Sequence, residues 1–238
     1  MTTTPLTEAT VTVEQVAKMI DHALLRPELT VTDIRQGCEL AAKYQVISVC
    51  VRPSDVPLAV EQLAGTGVLV CTVIGFPHGS IATEIKAAET ALAVRQGAAE
   101  ADMVLNIGWL RSGELERVEA DIRAVVEAAG SVPVKVILEN AYLTDEQKVA
   151  CCQAAERAGA AFVKTSTGFA PTGATLADVV LMRAAVSPHI EIKASGGVKT
   201  LDQLLELANA GVTRFGASGT ADILDELARR RETAAAPS

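Results

Sequence analysis

Three lysines stand inside short runs of apolar and β-branched residues: Val134-Lys135-Val136, Val163-Lys164-Thr165 and Ile192-Lys193-Ala194. Strand interiors seldom carry charge, because an ammonium out of water without a partner is costly. Each of these lysines is 29 residues from the next, about one strand-plus-helix unit, so they take matching places on consecutive strands. Asp102, in Ala101-Asp-Met-Val-Leu-Asn106, and Asp21, in Ile20-Asp-His22, bring carboxylates to two more candidate strands. Buried amines and carboxylates must satisfy one another, and an ion-pair network without chemistry is one way to do so. Three close ammonium groups repel, however, so at least one of them is expected to become a neutral amine. A neutral lysine amine attacks aldehydes and ketones and forms Schiff bases, so the pattern points to carbonyl chemistry.

The elements that must place these residues alternate along the chain. Eight candidate strands begin near Ile20, Val46, Val68, Asp102, Val134, Phe162, Glu191 and Arg214. Val46–Val51 and Val68–Ile74 are nearly continuous apolar runs, as suits parallel strands covered on both faces. Helical segments are expected over Ile81–Arg95, Glu114–Ala128, Asp145–Ala158, Leu176–Ala185 and Leu201–Ala210, with Gly97, Gly130, Gly159 and Gly211 as stops. Strand, helix and glycine recur about every thirty residues. Eight such units predict a (β/α)8 TIM barrel over residues 1–229, a single domain, in preference to an open doubly wound sheet. Val13–Met19 reads as a short extra N-terminal helix at the barrel's bottom, and the Ala-rich segment 230–238 as a disordered tail.

Barrel enzymes often hold phosphate in the loops after strands seven and eight, where glycine lets backbone amides approach. Ser195-Gly196-Gly197 follows Lys193, Gly216-Ala-Ser218-Gly219 follows the last strand, and Thr167-Gly168 follows Lys164. The five cysteines include no CxxC pair, and no two of the three histidines have metal-ligand spacing, so neither a disulfide framework nor a metal is indicated. His22 should point away from the barrel interior, because it follows Asp21 on an alternating strand.

Composition excludes other classes. The chain has 238 residues, 21 basic against 29 acidic, a net charge of -8, and no basic cluster longer than Arg229-Arg230-Arg231, so nucleic acid is not an expected partner. No apolar run is long enough to span a bilayer, and the start Met1-Thr-Thr-Thr-Pro5 lacks the regions of a signal peptide, so a cytoplasmic protein is expected. With aromatic residues at only 3%, little marks an oligomer interface.

Seven stretches resemble the deoxyribose-phosphate aldolases, a class I aldolase family. They are Ile20-Asp-His-Ala-Leu-Leu25, Ser48-Val-Cys-Val51, Gly75-Phe-Pro-His-Gly79, Asp102-Met-Val-Leu-Asn-Ile-Gly108, Val163-Lys-Thr-Ser-Thr-Gly-Phe169, Ile192-Lys-Ala-Ser-Gly-Gly-Val198 and Arg214-Phe-Gly-Ala-Ser218. The resemblance implies a (β/α)8 barrel that interconverts 2-deoxy-D-ribose 5-phosphate with acetaldehyde and D-glyceraldehyde 3-phosphate. It implies no metal or organic cofactor, and a homodimer or other homo-oligomer as the assembly. By resemblance, Lys164 is the Schiff-base lysine, Lys193 keeps Lys164 deprotonated, and Asp102 moves protons. Asp21, Cys50, Asn106, Lys135 and Thr167 are candidate substrate contacts, with Lys135 an electrostatic helper and Asn106 also a candidate cap. Gly168, Gly196, Gly197, Gly216 and Ser218 are candidate phosphate contacts. The chain departs from the family in having Ala23 where many members have Thr, and Ala-Pro-Ser238 where many end in Tyr; its only tyrosines are Tyr44 and Tyr142. Another class I aldolase or transaldolase-like activity, or a non-catalytic sugar-phosphate-binding barrel, stays open at this point.

Overall fold

The structure, a computed structural model, describes residues 5–235; the first four residues of the polar start and residues 236–238 of the expected tail lie outside the described residues. Eight parallel strands close into a barrel in sequence order, β1 next to β8. They are β1 (Ile20–Leu24), β2 (Ser48–Val51), β3 (Leu69–Ile74), β4 (Glu100–Val104), β5 (Val134–Ile137), β6 (Phe162–Lys164), β7 (Glu191–Ser195) and β8 (Arg214–Ala217). The helices are α1 (Val13–Ala17), α2 (Val31–Tyr44), α3 (Val56–Leu63), α4 (Thr83–Arg95), α5 (Ile107–Arg111), α6 (Leu115–Ala129), α7 (Asp145–Arg157), α8 (Leu176–Ala185), α9 (Leu201–Asn209) and α10 (Thr220–Ala235). Among the described residues no helix is long and apolar enough to cross a membrane. The eight strands and five helical segments expected from periodicity are present, and α1 lies at the N-terminal end of the barrel, packed against α10.

Local chemistry starts the helices. Thr12, Thr30, Asn106, Thr144, Thr175 and Thr200 each cap a helix by accepting the third backbone N–H with the side-chain oxygen. Outward-facing strand residues such as Val49, Val136, Val163 and Ile192 are buried against the helices, forming the main apolar layer. Three full helices, α2, α3 and α10, stand outside the segments expected from periodicity. In α2, Gly37 lies against Leu24, whose side-chain end would have to shift to admit a Cβ at 2.5 Å. The short, largely apolar α3 buries Val56, Ala59 and Leu63.

Two boundaries correct the sequence-based expectation. β4 begins at Glu100, two residues before Asp102, which turns a second acid into the barrel. The segment from Arg230 is not a disordered tail over 230–235: α10 continues to Ala235, and Arg230 pairs with Asp202 (2.6 Å), Glu226 (2.7 Å) and Glu8 (3.0 Å). Alanine favours the helix and the ion pairs tie its end to α9 and the N-terminal segment.

His22 points outward between β1 and α10, as alternation requires, and its Nδ1 lies 2.8 Å from Thr220 Oγ1. Burial pushes its pKa down to about 4. Between that value and the unfolded value of about 6.5, unfolding takes up a proton, so neutral His22 supports the fold fully above pH ~6.5 and progressively less as the pH falls toward 4. Urea titrations of wild type and His22→Asn at pH 7 and pH 4.5 are expected to show wild type losing up to about 3 kcal/mol more than the variant on acidification; parallel losses would refute the assignment.

Candidate active site

Inward-facing residues sort into layers taken from alternate strands, as in closed eight-stranded barrels. The lowest carries Ser48, Glu100, Phe162 and Arg214; the next Asp21, Cys71, Lys135 and Lys193; above it come Cys50, Asp102, Lys164 and Gly216. Lys135 and Arg214 lie over the Phe162 ring at 5.6 and 5.4 Å, an apolar but electron-rich floor for two cations.

Asp102 is the hub. Its Oδ2 accepts from Lys164 Nζ and Lys193 Nζ, both at 2.7 Å. Its Oδ1 accepts from Lys135 Nζ at 2.9 Å and from the Cys71 thiol at 3.2 Å. Lys193 also donates to Asp21, whose other oxygen accepts from Ser48 Oγ and Arg214 Nη1, each at 2.8 Å. Lys135 and Arg214 then meet on Glu100, at 2.6 and 2.8 Å. The cluster holds three carboxylates and four cationic side chains, all buried or nearly so.

The electrostatics follow from that geometry. Burial pushes the Asp102 carboxyl up, but Lys135, Lys164 and Lys193 overcome it and hold the group well below the usual carboxylate range. Asp21 is likewise held low against burial by Lys193, Lys135 and Arg214. Burial pulls Lys135 and Lys193 down, yet Asp102, Asp21 and, for Lys135, Glu100 raise both above an ordinary lysine. Neither is therefore the neutral amine expected from crowding. The ligand atoms of Cys50, Cys71 and Asp102, and those of Asp21, Cys71 and Glu100, lie within 4.8 Å of one another. Ammonium and guanidinium groups already occupy these carboxylates, so a metal cation would have to displace them against like-charge repulsion.

Above the hub a cavity of about 210 Å3 opens at the C-terminal face, with Lys164, Lys193, Asp21, Ala23 and Cys50 deep in its lining. Thr167, Gly168, Gly196, Gly197, Gly216 and Ser218 line its opposite side. Gly196 has φ +78° and lies so close to Gly173 that a Cβ on Gly173 would be 1.8 Å from the Gly196 oxygen. Only two glycines let the loops after β6 and β7 dock backbone to backbone there. At the rim Arg26 stacks over Phe169 at 4.9 Å, and Phe76 meets Phe169 edge-on at 5.3 Å.

A family model described as DeoC/LacD family aldolase matches residues 14–225. The chain belongs to this aldolase family. It is 53% identical over 207 residues to a deoxyribose-phosphate aldolase of Streptococcus gordonii, covering 87% of this chain and 94% of that one. A deoxyribose-phosphate aldolase of Staphylococcus epidermidis is 51% identical over 211 residues, covering 89% of this chain and 96% of its own. Among solved structures, the tetrameric deoxyribose phosphate aldolase of Aeropyrum pernix superposes with a TM-score of 0.85 at 30% identity, covering 91% of this chain and 92% of that one.

Within this aldolase barrel, eleven of the thirteen residues singled out from the sequence line the cavity or, for Asp102, lie in hydrogen-bond contact with its floor. Two stand elsewhere. Asn106 caps α5, accepting from Trp109 N at 3.1 Å, and does not reach the cavity. Lys135 shares the layer of Asp21 and Lys193 but is bonded to Glu100 and Asp102 and does not line the cavity. The sequence reading passed over Glu100, Arg214, Cys71 and Ser48 in the network, Arg26 and Lys199 at the rim, and Glu139 behind Thr167. The period of two carried back from Asp102, Cys50 and Gly216 leads to Glu100, Ser48 and Arg214, whereas no such signal marks the others.

Lys135→Met and Lys164→Met each leave three cations against three carboxylates, so comparing them isolates local pairing. Lys135→Met strips Glu100 and Asp102 of a buried donor and is expected to cost about 3–5 kcal/mol in urea unfolding. Lys164→Met leaves Asp102 paired by Lys135 and Lys193 and is expected to cost under about 1.5 kcal/mol. Equal losses would contradict this account of the network.

Proposed function

We propose that the chain cleaves 2-deoxy-D-ribose 5-phosphate reversibly to D-glyceraldehyde 3-phosphate and acetaldehyde through a Schiff base on Lys164. The observation that carries this reading is the contact of Lys164 Nζ with Asp102, 2.7 Å away and shared with Lys193, at the floor of the cavity. Lys164 is the cation of the cluster with one carboxylate partner; Lys135, Lys193 and Arg214 each have two or more. Four cations against three carboxylates leave one positive charge in excess.

The neutral Nζ attacks C1 of the open-chain sugar, and loss of water gives an iminium. Electrons of the C2–C3 bond flow into it as the C3 hydroxyl proton leaves, forming an enamine and releasing glyceraldehyde 3-phosphate. Protonation of the enamine carbon and hydrolysis release acetaldehyde and restore the amine. Asp102 is the group positioned to take and return protons. Its basicity depends on the three ammonium groups facing it, so it rises when Lys164 loses its charge. Lys193, held charged by Asp21 and Asp102, opposes a second positive charge on Lys164 and hydrogen-bonds the carboxylate.

The amides around Gly168, Gly196, Gly197 and Gly216, with Ser218, suit the phosphate, and the rim cations Arg26 and Lys199 add positive potential on an otherwise acidic chain. Asp21 and Cys50 flank the deep end. The names of the relatives support the substrate, and the tetrameric Aeropyrum pernix protein supports a homo-oligomer here, to be measured by light scattering. Five free, buried cysteines suit a reducing, cytoplasmic setting.

Borohydride added with acetaldehyde is expected to trap a reduced adduct on Lys164, located by peptide mass analysis; an adduct on Lys193 would reverse the roles, and none on Lys164 would refute the mechanism. Lys164→Arg is expected to abolish cleavage while leaving the thermal transition where it is in wild type.

A further inference from the structure

Glu139 is a buried acid beside the site for which the reaction above has no use. It follows β5 with φ 59° and ψ 64° and is 2% exposed. Gln45 is the other described non-glycine residue with positive φ, and it closes α2, where a left-handed residue is ordinary. Glu139 closes no helix, so its unusual backbone points to what its side chain does.

That side chain reaches the loop after β6. Its carboxylate accepts the Thr167 backbone N–H at 3.2 Å and the Thr167 hydroxyl. Thr167 Oγ1 in turn accepts the Phe169 N–H at 3.0 Å. Thr167 lines the cavity and Glu139 does not. Burial pushes the Glu139 carboxyl up, and the two Thr167 donors oppose this by satisfying the ionised form.

We propose that Glu139 is a positioning residue that fixes the Thr167 hydroxyl as a hydrogen-bond acceptor toward the C4 hydroxyl of the sugar; this rests on the aldolase reading above. A carboxylate can only accept, so the Thr167 proton is committed to Glu139. One Oγ1 lone pair is taken by Phe169 N–H, and the other is all that this hydroxyl offers a ligand. An acceptor matches a sugar hydroxyl and repels phosphate oxygens, whereas backbone amides at Gly196 and Gly197 match phosphate. Thr167 is three residues beyond Lys164 and beside Gly168, between the amine that holds C1 and the glycine loops. The C3 hydroxyl in that interval surrenders its proton during cleavage, which leaves the C4 hydroxyl. After cleavage this group is the α-hydroxyl of the acceptor aldehyde.

The test runs the reaction in the synthetic direction, with acetaldehyde and either D-glyceraldehyde 3-phosphate or 3-oxopropyl phosphate, which lacks the α-hydroxyl. Wild type is expected to prefer the hydroxylated acceptor by about tenfold or more in kcat/KM. In Glu139→Gln the amide can donate to Oγ1 and release the hydroxyl direction, so the preference is expected to fall about tenfold, chiefly through KM. Thr167→Val is expected to lose the preference equally, the double variant to lose no more, and Thr167→Ser to keep it. Simple destabilisation does not move this ratio, because both acceptors meet the same folded enzyme. No preference in wild type, an unchanged ratio in Glu139→Gln, or additive losses in the double variant would overturn the proposal. If Glu139→Gln does not fold, the Val and Ser variants decide: the preference kept by Ser and lost by Val supports the proposal, and any other pair of outcomes overturns it. Absence of a borohydride adduct on Lys164 in wild type would instead overturn the aldolase reading itself.

Discussion

A single carboxylate, Asp102, accepts hydrogen bonds from three lysines at the centre of an eight-stranded barrel, and the interior is arranged around that fact. An isolated buried ammonium would lose its proton, and an isolated carboxylate would gain one. Neither happens at Lys135, Lys193, Asp21 or Asp102, because each supplies the opposite charge that the others need. Ser48 and Arg214 complete Asp21, and Glu100 joins Lys135 to Arg214. The network supports its most loosely held member, Lys164, where the interior opens to the cavity.

This division makes chemistry compatible with stability. The charges of the lower layers are paired, and the cations over Phe162 face a ring and two acids. The upper layer ends at Lys164, Cys50 and Gly216, where the side chains thin out and a ligand can enter. The loops above it are held by features chosen for close approach: the Gly173–Gly196 backbone contact and the Glu139–Thr167 hydrogen bonds. Charge is concentrated below and hydrogen-bond geometry above, so a sugar phosphate would meet an amine at one end and amides at the other.

Much of this was legible from residue order. Alternating apolar runs and helical segments located all eight strands, and the 29-residue spacing of Lys135, Lys164 and Lys193 placed three amines in one wall. Glycines after β6 and β7, with Gly216, which the structure places inside β8 rather than after it, marked the cavity lining. These signals are local: side-chain alternation, helix period and turn chemistry act over a few residues. For the same reason Asn106, polar and near a strand end, looked like a substrate contact, whereas its side chain satisfies the first turn of α5. The Ala-rich segment after Arg230 looked unsupported because its partners, Glu8 and Asp202, are distant in sequence.

The sequence by itself therefore determined the eight strands, their order and which charged residues stand within them. Tertiary structure decided which of them touch. Closure staggers neighbouring strands, so a layer draws on every second strand: Asp102 of β4 meets Lys164 of β6, and Asp21 of β1 meets Lys193 of β7. That stagger belongs to the closed sheet and to no single segment. Hence Glu100 with Arg214, separated by more than one hundred residues, and Glu139 with Thr167 across adjacent loops, become partners only when the barrel shuts.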